Sequence, residues 1–324
     1  MTQGDRPVLA VDLGGTKASF AVIDADGAVR ARTKRPSHEG SVALSYEALA
    51  AAAADTVRAA GLQWKGIRAA GVVVPGIYDP ATGRAWAPNL WGRDEVALGH
   101  ELRARLPVPV VIDSDRSGYV LGEAWRGAAR GATDVVFLAV GTGIGAGILV
   151  DGRLVRGSGD VAGAVGWFAL DPRFRSEFGE RGCFECEASG SAVGRAARRA
   201  LEQGRTSVIA EIADGSGGVI TAETVFRAAA AGDALAEEIL DRVAETMAMG
   251  IANIVSILNP EIVVLGGGLF QSDLRLLEPV RARVARWAQP LAAAAVRIEP
   301  SGLGEDAGLY GAAKLAWDSV RVWP

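Results

Sequence analysis

The chain has 324 residues, a formal net charge of −4 and a hydrophobic fraction of 49%. This composition excludes disordered and low-complexity proteins, and the length predicts about two domains. The mild acidity argues against nucleic acid as the main partner, because phosphate binding needs a basic face, and two cysteines are too few for a disulfide framework.

The start of the chain and its longest uncharged stretch predict a cytoplasmic protein. Asp5 and Arg6 precede a short apolar strand rather than a cleavable apolar segment. The stretch 135–150 is shorter than the ~18 residues that a membrane span needs, and glycines interrupt it. We therefore expect no targeting segment and no membrane contact.

An internal repeat organises the predicted strands. Residues 8–30 and 135–156 each contain an apolar strand, a turn of glycine and threonine, a second apolar strand, an Asp-Gly turn and a third strand. Such turns favour hairpins, because glycine accepts positive φ without steric cost. Two β-meanders, each followed by helical sequence, predict an α/β protein with two similar domains around a cleft. We expect the domains to be 1–117 with 306–324, and 118–305.

The remaining elements follow from apolar spacing, capping residues and turn residues. Helices are predicted at 44–60, 120–130, 192–202, 221–231 (with Thr221 as cap), 234–258, 277–287 and 307–317. Further strands are predicted at 68–74, 108–112, 262–265 and 295–299. Residues 171–187 have no clear periodicity, and we interpret them as a loop that requires a stabilising interaction to keep its conformation.

Three glycine clusters each follow an apolar strand: Asp12-Leu-Gly14-Gly15-Thr16-Lys17, Gly141-Thr142-Gly143-Ile-Gly145 and Gly266-Gly267-Gly268. Glycines let backbone N–H groups approach an anion closely, so the first two clusters are candidate phosphate loops, and the third suits a nucleotide base or ribose. Asp12 can hold a hydrated Mg²⁺, Thr16 offers a hydroxyl and Lys17 a charge. The alternative is three tight turns, but two clusters occupy the same place in the repeat, which favours phosphate binding. No Walker A sequence is present, and a strand rather than a helix follows Gly145, against a Rossmann fingerprint.

Further motifs run along almost the whole chain. They read DLGGTK at 12–17, VPG at 74–76, PNL at 88–90, LPVPVVIDSD at 106–115, LGEAWRGAARG at 121–131, GTGIGAGILVDGRLVRG at 141–157, RGCFECEASG at 181–190, LNPEIVVLGGG at 258–268 and LGEDAGLYGAAKLA at 303–316. In these motifs the sequence resembles the ROK family of repressors, uncharacterised reading frames and sugar kinases. The resemblance implies an actin-like, hexokinase-like ATPase fold, with two ribonuclease H-like domains flanking an ATP cleft. Family repressors carry an N-terminal helix-turn-helix, and the first phosphate loop begins at residue 12, so we do not expect a DNA-binding repressor.

The same resemblance implies roles for particular residues. Asp115 would be the general base that accepts the proton of the attacking hydroxyl, with ATP and Mg²⁺ as cofactors. The alternative for Asp115 is a cap of the helix that follows it. Gly76 and Asn89 lie in segments that line the sugar side of the cleft, and Glu185 matches the family's last sugar-binding glutamate. A homodimer is implied as well.

The sequence departs from the family pattern on one wall of the sugar pocket. Ser114 replaces the asparagine before the catalytic aspartate, and Ala164-Val-Gly-Trp167 replaces a Glu-x-Gly-His motif that binds sugar hydroxyls. Such a wall offers no hydrogen-bond partner to the hydroxyls of a sugar, and Trp167 can stack on the ring of the substrate. The expected substrate is therefore an aminosugar such as kanosamine, a C7-cyclitol such as 2-epi-5-epi-valiolone, or a hexose, with glucose disfavoured.

The family's zinc site is incomplete too. Its loop reads Ser176-Glu-Phe178-Gly-Glu-Arg-Gly-Cys183, so only Cys183 of four expected ligands remains, and a structural zinc needs four. We predict no zinc. Trp167 and Phe178 occupy two former ligand positions, and we expect them to contact each other and hold the loop by apolar packing. Cys183 and Cys186 are interpreted as small apolar residues rather than a redox pair, because no thioredoxin-like context surrounds them.

These observations favour an ATP-dependent kinase of a sugar or sugar-like polyol. One alternative is a catalytically weak sugar-binding or regulatory protein without a DNA-binding domain, which the lost Glu and His favour. The retained Asp115 and both phosphate loops favour the kinase. A third hypothesis, an actin-like structural ATPase, does not explain the sugar-side segments around Asn89 and Glu185.

Overall fold

Strands and helices alternate along the chain, and the computed structural model describes residues 6–39, 42–215 and 217–319. The strands are β1 (Val8–Leu13), β2 (Lys17–Ile23), β3 (Val29–Pro36), β4 (His38–Glu39), β5 (Val42–Ala43), β6 (Ala70–Val74), β7 (Ile77–Asp79), β8 (Arg84–Trp86), β9 (Glu95–Val96), β10 (Val110–Ser114), β11 (Val135–Val140), β12 (Ile144–Val150), β13 (Arg153–Leu154), β14 (Ile262–Gly266) and β15 (Arg297–Pro300). The helices are α1 (Tyr46–Ala59), α2 (Pro88–Trp91), α3 (Leu98–Arg105), α4 (Asp115–Arg126), α5 (Phe178–Arg181), α6 (Cys183–Ala188), α7 (Gly190–Glu202), α8 (Ile209–Asp214), α9 (Ala222–Ala230), α10 (Ala234–Leu258), α11 (Gly268–Ser272), α12 (Leu277–Trp287), α13 (Pro290–Ala295) and α14 (Ala307–Ser319).

Two five-stranded sheets repeat one plan. The first has the order β10-β6-β1-β2-β3 and the second the order β13-β12-β11-β14-β15. In each sheet three strands form an antiparallel meander, β1-β2-β3 or β11-β12-β13. Two further strands, β6 and β10 or β14 and β15, run parallel to the first strand of the meander and extend the sheet beyond it. The duplication predicted at 8–30 and 135–156 is therefore confirmed.

Both faces of the first sheet are buried, which explains its nearly continuous apolar strands. Successive side chains of a strand point to opposite faces. Leu9 and Val11 accordingly join an outer core with α1 and α3, whereas Val8 and Ala10 join a central cluster. The second sheet has its own outer core, in which α10 is the largest element.

The helices α4 and α14 form the layer that joins the two sheets. They pack against each other, α14 also packs on β1 and β6, and α4 packs on β11 and β12. Gly118 and Gly311 lie at the crossing of the two helices, where a methyl group on Gly311 would overlap the backbone of Gly118. Glycine at this crossing permits the close approach of the two backbones.

A buried carboxylate fastens the two chain segments that pass between the sheets. Glu123 of α4 has no solvent exposure. It accepts hydrogen bonds from the backbone N–H groups of Ala128 (2.7 Å), Gly302 (3.2 Å) and Leu303 (3.1 Å), and from the hydroxyl of Ser301. These bonds satisfy the buried charge and tie α4 to the segment between β15 and α14.

Most predicted helices are confirmed to within two residues, α7, α10 and α12 among them. Thr221 caps α9 by accepting a hydrogen bond from Thr224 N–H. The helix predicted at 120–130 instead runs from Asp115 to Arg126, because the Ser114 side chain caps it by accepting from Ser117 N–H. The interpretation of 171–187 as a loop is wrong, since this segment contains α5 and most of α6.

The domain division remains a proposal, which the packing of α14 on the first sheet supports. We propose 1–117 with 306–324 as one domain and 118–305 as the other. Residues 1–5, including Asp5, and 320–324 lie outside the described residues. Across the described ranges, none of the helices combines the length and the apolar composition required to cross a membrane.

Candidate active site

A cavity of about 720 Å³ opens at the carboxyl ends of β1, β6, β10, β11 and β14. Binding sites of α/β sheets are commonly found at this end of the strands. The predicted site residues that line the cavity are Asp12, Gly14, Thr16, Lys17, Gly76, Asn89, Asp115, Gly141, Gly143, Ala164, Trp167, Glu185 and Gly267. The structure therefore brings both phosphate loops, the candidate base and the sugar-side residues to one place.

A second cavity of about 690 Å³ adjoins the second phosphate loop. Gly141, Thr142 and Gly268 line it together with the first residues of α7. The N–H of Gly190 donates to Gly141 O at 2.8 Å, and the Ser191 hydroxyl donates to Thr142 O at 2.7 Å. These bonds hold the second phosphate loop against the N-terminus of α7, an end that favours negative charge.

Three predicted site residues lie behind the cavity walls. Gly15 faces Asn89, and a methyl group on Gly15 would lie 3.4 Å from Asn89 Cβ. Ser114 is buried and caps α4, and Gly266 is buried where its Cα approaches the ring of Phe137. These positions shape the loops, whereas their neighbours reach the open space.

The first phosphate loop is a tight turn with a paired lysine. Gly14 N–H donates to Lys17 O at 2.9 Å and closes the turn between β1 and β2. The Lys17 ammonium lies 2.6 Å from Glu305 Oε2, and the Lys34 ammonium lies 3.4 Å from the same oxygen. Both partners of the Lys17 pair are about half exposed, so this cation can exchange its carboxylate for a phosphate.

Asp12 is the residue best suited to hold a cation. Its Oδ1 is closed off from solvent and has no hydrogen-bond partner, although the residue as a whole is half-buried. Burial raises the pKa of Asp12 to about 7, and the charge of Asp115 adds to this rise, whereas Lys17 and Arg32 lower it. An orphaned carboxylate oxygen at the cavity fits a hydrated Mg²⁺, which commonly takes one or two carboxylates along with substrate phosphates.

Asp115 begins α4 and faces the cavity. The role of helix cap belongs to Ser114, so the alternative interpretation of Asp115 as a cap is wrong. Burial raises the pKa of Asp115 to about 6, while Arg116 and the Tyr119 hydroxyl, which donates to Oδ2 at 3.4 Å, lower it. Asp115 is half-buried at the cavity wall. A carboxylate that is mostly ionised at neutral pH and still has an appreciable affinity for a proton has the properties of a general base.

Glu185 joins the sugar side of the cavity to the second phosphate loop. Its Oε2 accepts a hydrogen bond from Ile144 N–H at 2.9 Å. A methyl group on Gly143 would lie 2.5 Å from the same oxygen, so the glycine leaves room for the carboxylate. The position of α6, which carries Glu185, therefore affects both the cavity wall and the loop.

Sequence reasoning missed several lining residues. Arg116 and Tyr119 follow Asp115 on α4. The four-residue spacing of Asp115 and Tyr119 was a usable signal, because residues four apart lie on one face of a helix. Arg116 donates to the carbonyl oxygens of Ala162 (3.2 Å) and Asp160 (3.4 Å). Other lining residues had no role assigned from the sequence, namely Pro75, Ile77, Trp86, Phe137, Ala139, Val161, Gln271, Gly304 and Glu305. Ile144 and Gly145, which also line the cavity, belong to the second phosphate loop that the sequence predicted.

The family's zinc ligands have no equivalent cluster here. In the ranges 6–39, 42–215 and 217–319, no group of three or more Cys, His, Asp or Glu side chains is placed to hold a metal ion. Trp167 is 56% exposed at the cavity, whereas Phe178 is buried and packs edge-on against Phe174. The expected Trp167–Phe178 packing is therefore wrong.

Cys183 is buried, and burial raises the pKa of the half-buried Cys186 thiol, which disfavours the reactive thiolate.

Comparison with known proteins agrees with this architecture. The ROK family matches residues 8–319. A glucokinase of Thermotoga maritima is 32% identical and covers 97% of this chain and 98% of its own length. A ROK hexokinase from Thermus thermophilus superimposes with a TM-score of 0.82 at 29% identity, covering 97% of this chain and 99% of its own. A ROK glucokinase from Streptomyces griseus, in complex with glucose and AMPPNP, superimposes with a TM-score of 0.78 at 30% identity, covering 96% and 99%. The fold is the actin-like ATPase fold of these hexokinases, and the chain belongs to the ROK family.

Proposed function

We propose that this protein is an ATP-dependent carbohydrate kinase, which transfers the γ-phosphoryl group of ATP to a hydroxyl of a sugar or sugar-like polyol. One observation carries the proposal: the carboxylate of Asp115, a half-buried residue, faces the same cavity as two phosphate loops and the orphaned oxygen of Asp12. A protein that only bound sugar would not need a base between two phosphate loops. The similar glucokinases and the nucleotide in the Streptomyces griseus complex support the same conclusion.

The proposed mechanism assigns proton transfer to Asp115. Its carboxylate accepts the proton of the acceptor hydroxyl while that oxygen attacks the γ-phosphorus. The bond between the γ-phosphorus and the β–γ bridging oxygen breaks, and ADP leaves with the electron pair. Such a positioned base contributes roughly 10²–10⁴-fold to the rate. The remaining acceleration comes from alignment and charge neutralisation, which the backbone N–H groups of the loops and Lys17 provide. When bound, Mg²⁺ would neutralise phosphate charge, and Asp12 would hold it through its waters.

The second cavity is the proposed site for the nucleoside part of ATP. It continues from Gly141 of the second phosphate loop and is lined by Thr142 and Gly268. The backbone of a glycine presents no side chain, so a base or ribose can lie flat against it. Phosphates that extend from this cavity would pass the N-terminus of α7 before they reach Asp115.

The sugar wall supports an acceptor other than glucose. Asp115, Glu185 and Asn89 can bond hydroxyls, whereas Ala164 and the exposed face of Trp167 offer only apolar contact. An apolar wall gains nothing from a hydroxyl and leaves that hydroxyl without a partner. We propose an aminosugar such as kanosamine, or a C7-cyclitol, as preferred acceptor, with hexoses as weaker substrates.

We also propose, from the family resemblance and the sequence, that the protein is a cytoplasmic homodimer.

A coupled assay of ADP release tests the proposal. The wild type would be assayed with Mg-ATP and a panel of glucose, mannose, N-acetylated hexosamines, kanosamine and a C7-cyclitol, with Asp115→Asn as the control. Turnover that the variant loses supports the kinase, and the ranking of acceptors tests the apolar wall. Binding of sugar and ATP without turnover of any acceptor would instead support the regulatory or binding protein that the missing Glu and His favour.

A further inference from the structure

The segment from Asp171 to Ala188 needs an anchor, because it carries Glu185 into the active site. Its two helices, α5 and α6, have only four and six residues and are too short to be stable alone. The ROK resemblance implies a zinc ion at this place, yet the residues present do not fit one. Trp167, Ser176 and Phe178 stand at three of the ligand positions.

We propose that Arg175, rather than a metal ion, holds this segment in place. Its guanidinium pairs with Glu187 of α6 and lies 3.2 Å from Glu177 Oε1 at the start of α5. The same group lies over the ring of Phe178, 4.3 Å from its centroid. One planar cation thus links three points of the segment, as the fork of a guanidinium can and a lysine cannot.

The carboxylate partners of Arg175 connect the segment to the helices beneath it. Glu177 Oε2 lies 3.8 Å from Arg199 of α7, and Glu187 Oε2 lies 3.7 Å from Arg242 of α10. Glu177 and Glu187 are therefore shared between Arg175 and a second cation. A shared network of this kind holds its members more firmly than one isolated surface pair.

This anchor reaches the active site through α6. Glu187 and Glu185 are two residues apart on this single short helix, and Glu185 Oε2 accepts the bond from Ile144 N–H at 2.9 Å. Phe184 packs α6 on the core of the second sheet, and the ion pair of Glu187 adds a restraint on the motion of the helix and of the carboxylate on the sugar wall. Arg175 is thus a positioning residue, and its effect on acceptor binding rests on the proposed function.

The first test measures metal content and chelator sensitivity of the wild type. We expect substoichiometric zinc by elemental analysis, and a melting temperature that 1,10-phenanthroline leaves unchanged. One retained zinc per chain, with a melting temperature that falls on chelation, would overturn the proposal. This experiment does not depend on kinase activity.

The second test compares Arg175→Met, Arg175→Lys and the control Arg199→Met. Arg199 is mostly exposed, and its one ion pair with another described residue is the 3.8 Å contact with Glu177. We expect Arg175→Met to raise the acceptor KM about tenfold, equivalent to about 1.4 kcal/mol, and to speed backbone hydrogen exchange within 176–190. Arg175→Lys should be intermediate. Arg199→Met should stay within twofold of the wild type, because it removes one long, exposed contact and leaves both ion pairs of Arg175 in place.

The acceptor KM and the local exchange rate of these variants decide whether Arg175 positions the segment. An acceptor KM and an exchange rate within twofold of the wild type in Arg175→Met would overturn the positioning role. If Arg175→Met does not fold, Arg175→Lys takes its place, and it must then differ from Arg199→Met in local exchange. If no acceptor is turned over by the wild type, the proposed function fails, while exchange and metal content still test the anchor.

Discussion

Replacing Asp12 by asparagine is expected to stabilise the protein while it abolishes activity. Burial and the nearby charge of Asp115 raise the pKa of Asp12 from 3.8 to about 7. The ionised form is therefore disfavoured in the folded state, and at about 1.36 kcal/mol for each pKa unit the cost is about 4 kcal/mol above pH 7. Asparagine removes this charge but keeps a buried polar group, so we expect a gain of about 2–4 kcal/mol.

The gain in stability of Asp12→Asn over the wild type should increase with pH. Because the folded-state pKa is raised, the folded state keeps a proton that the unfolded chain releases between pH 3.8 and about 7. The wild type is thus not penalised at pH 4, and the penalty is complete above pH 7. Asp12→Asn should therefore gain little at pH 4 and most at pH 8.

Urea unfolding at pH 5 and pH 8 without Mg²⁺ measures this difference. Leaving out the metal matters, because a cation held by Asp12 would stabilise the wild type alone. Asp94→Asn, at an exposed position, serves as the matched control and should show no gain at either pH. A variant that is no more stable than the wild type at pH 8, or equally stabilised at both pH values, would refute the reasoning.

The remaining predictions concern catalysis. Asp115→Asn should lower kcat by about 10²–10⁴-fold with little change in the ATP KM, and a loss below tenfold would exclude the general base. In the wild type at saturating Mg-ATP, with Asp12 ionised by the cation it holds, kcat/KM for the acceptor should fall as pH drops below about 6, where Asp115 takes up its proton. Tyr119→Phe should move this limb to higher pH, because the hydroxyl lowers the pKa of Asp115, and an unmoved limb would contradict that contact. Glu305→Gln should lower the ATP KM by up to about fivefold, since an exposed ion pair that occupies Lys17 contributes at most about 1 kcal/mol; a higher KM would contradict this. Trp167→Ala should raise the KM of the preferred acceptor about five- to tenfold, through loss of stacking, and leave that of ATP unchanged.

Local sequence patterns predicted the framework because they act over short distances. The strand–turn–strand repeat at 8–30 and 135–156 predicted the two meanders, and the capping residue Thr221 located a helix start. The glycine loops and Asp115 stand out because their chemistry and their position after a strand coincide. Roles on the sugar side came from the family resemblance and depended on motifs that this chain has partly lost.

Contacts between distant segments could not be predicted in the same way. Lys17 and Glu305 are 288 residues apart, and no local pattern pairs them. The residues 171–187 show no helical periodicity because α5 and α6 are only four and six residues long, too short for an apolar stripe to repeat. Phe184 of α6 is fully buried in the outer core of the second sheet, and charged residues of the segment also pair with neighbouring helices. The expected packing of Trp167 on Phe178 was wrong because Phe178 packs on Phe174 and on the guanidinium of Arg175, contacts that no sequence motif indicates.

The bonds around Glu123 bear on how the cleft moves. The chain passes between the sheets through α4 and again through the segment that precedes α14, and Glu123 fastens these two passages to each other at one point. Together with the packing of α4 on α14, these bonds hold the two passages at a fixed spacing at the bottom of the cleft. Any opening of the cleft for product release would therefore widen the rim far more than the bottom, where Asp12 and Asp115 lie.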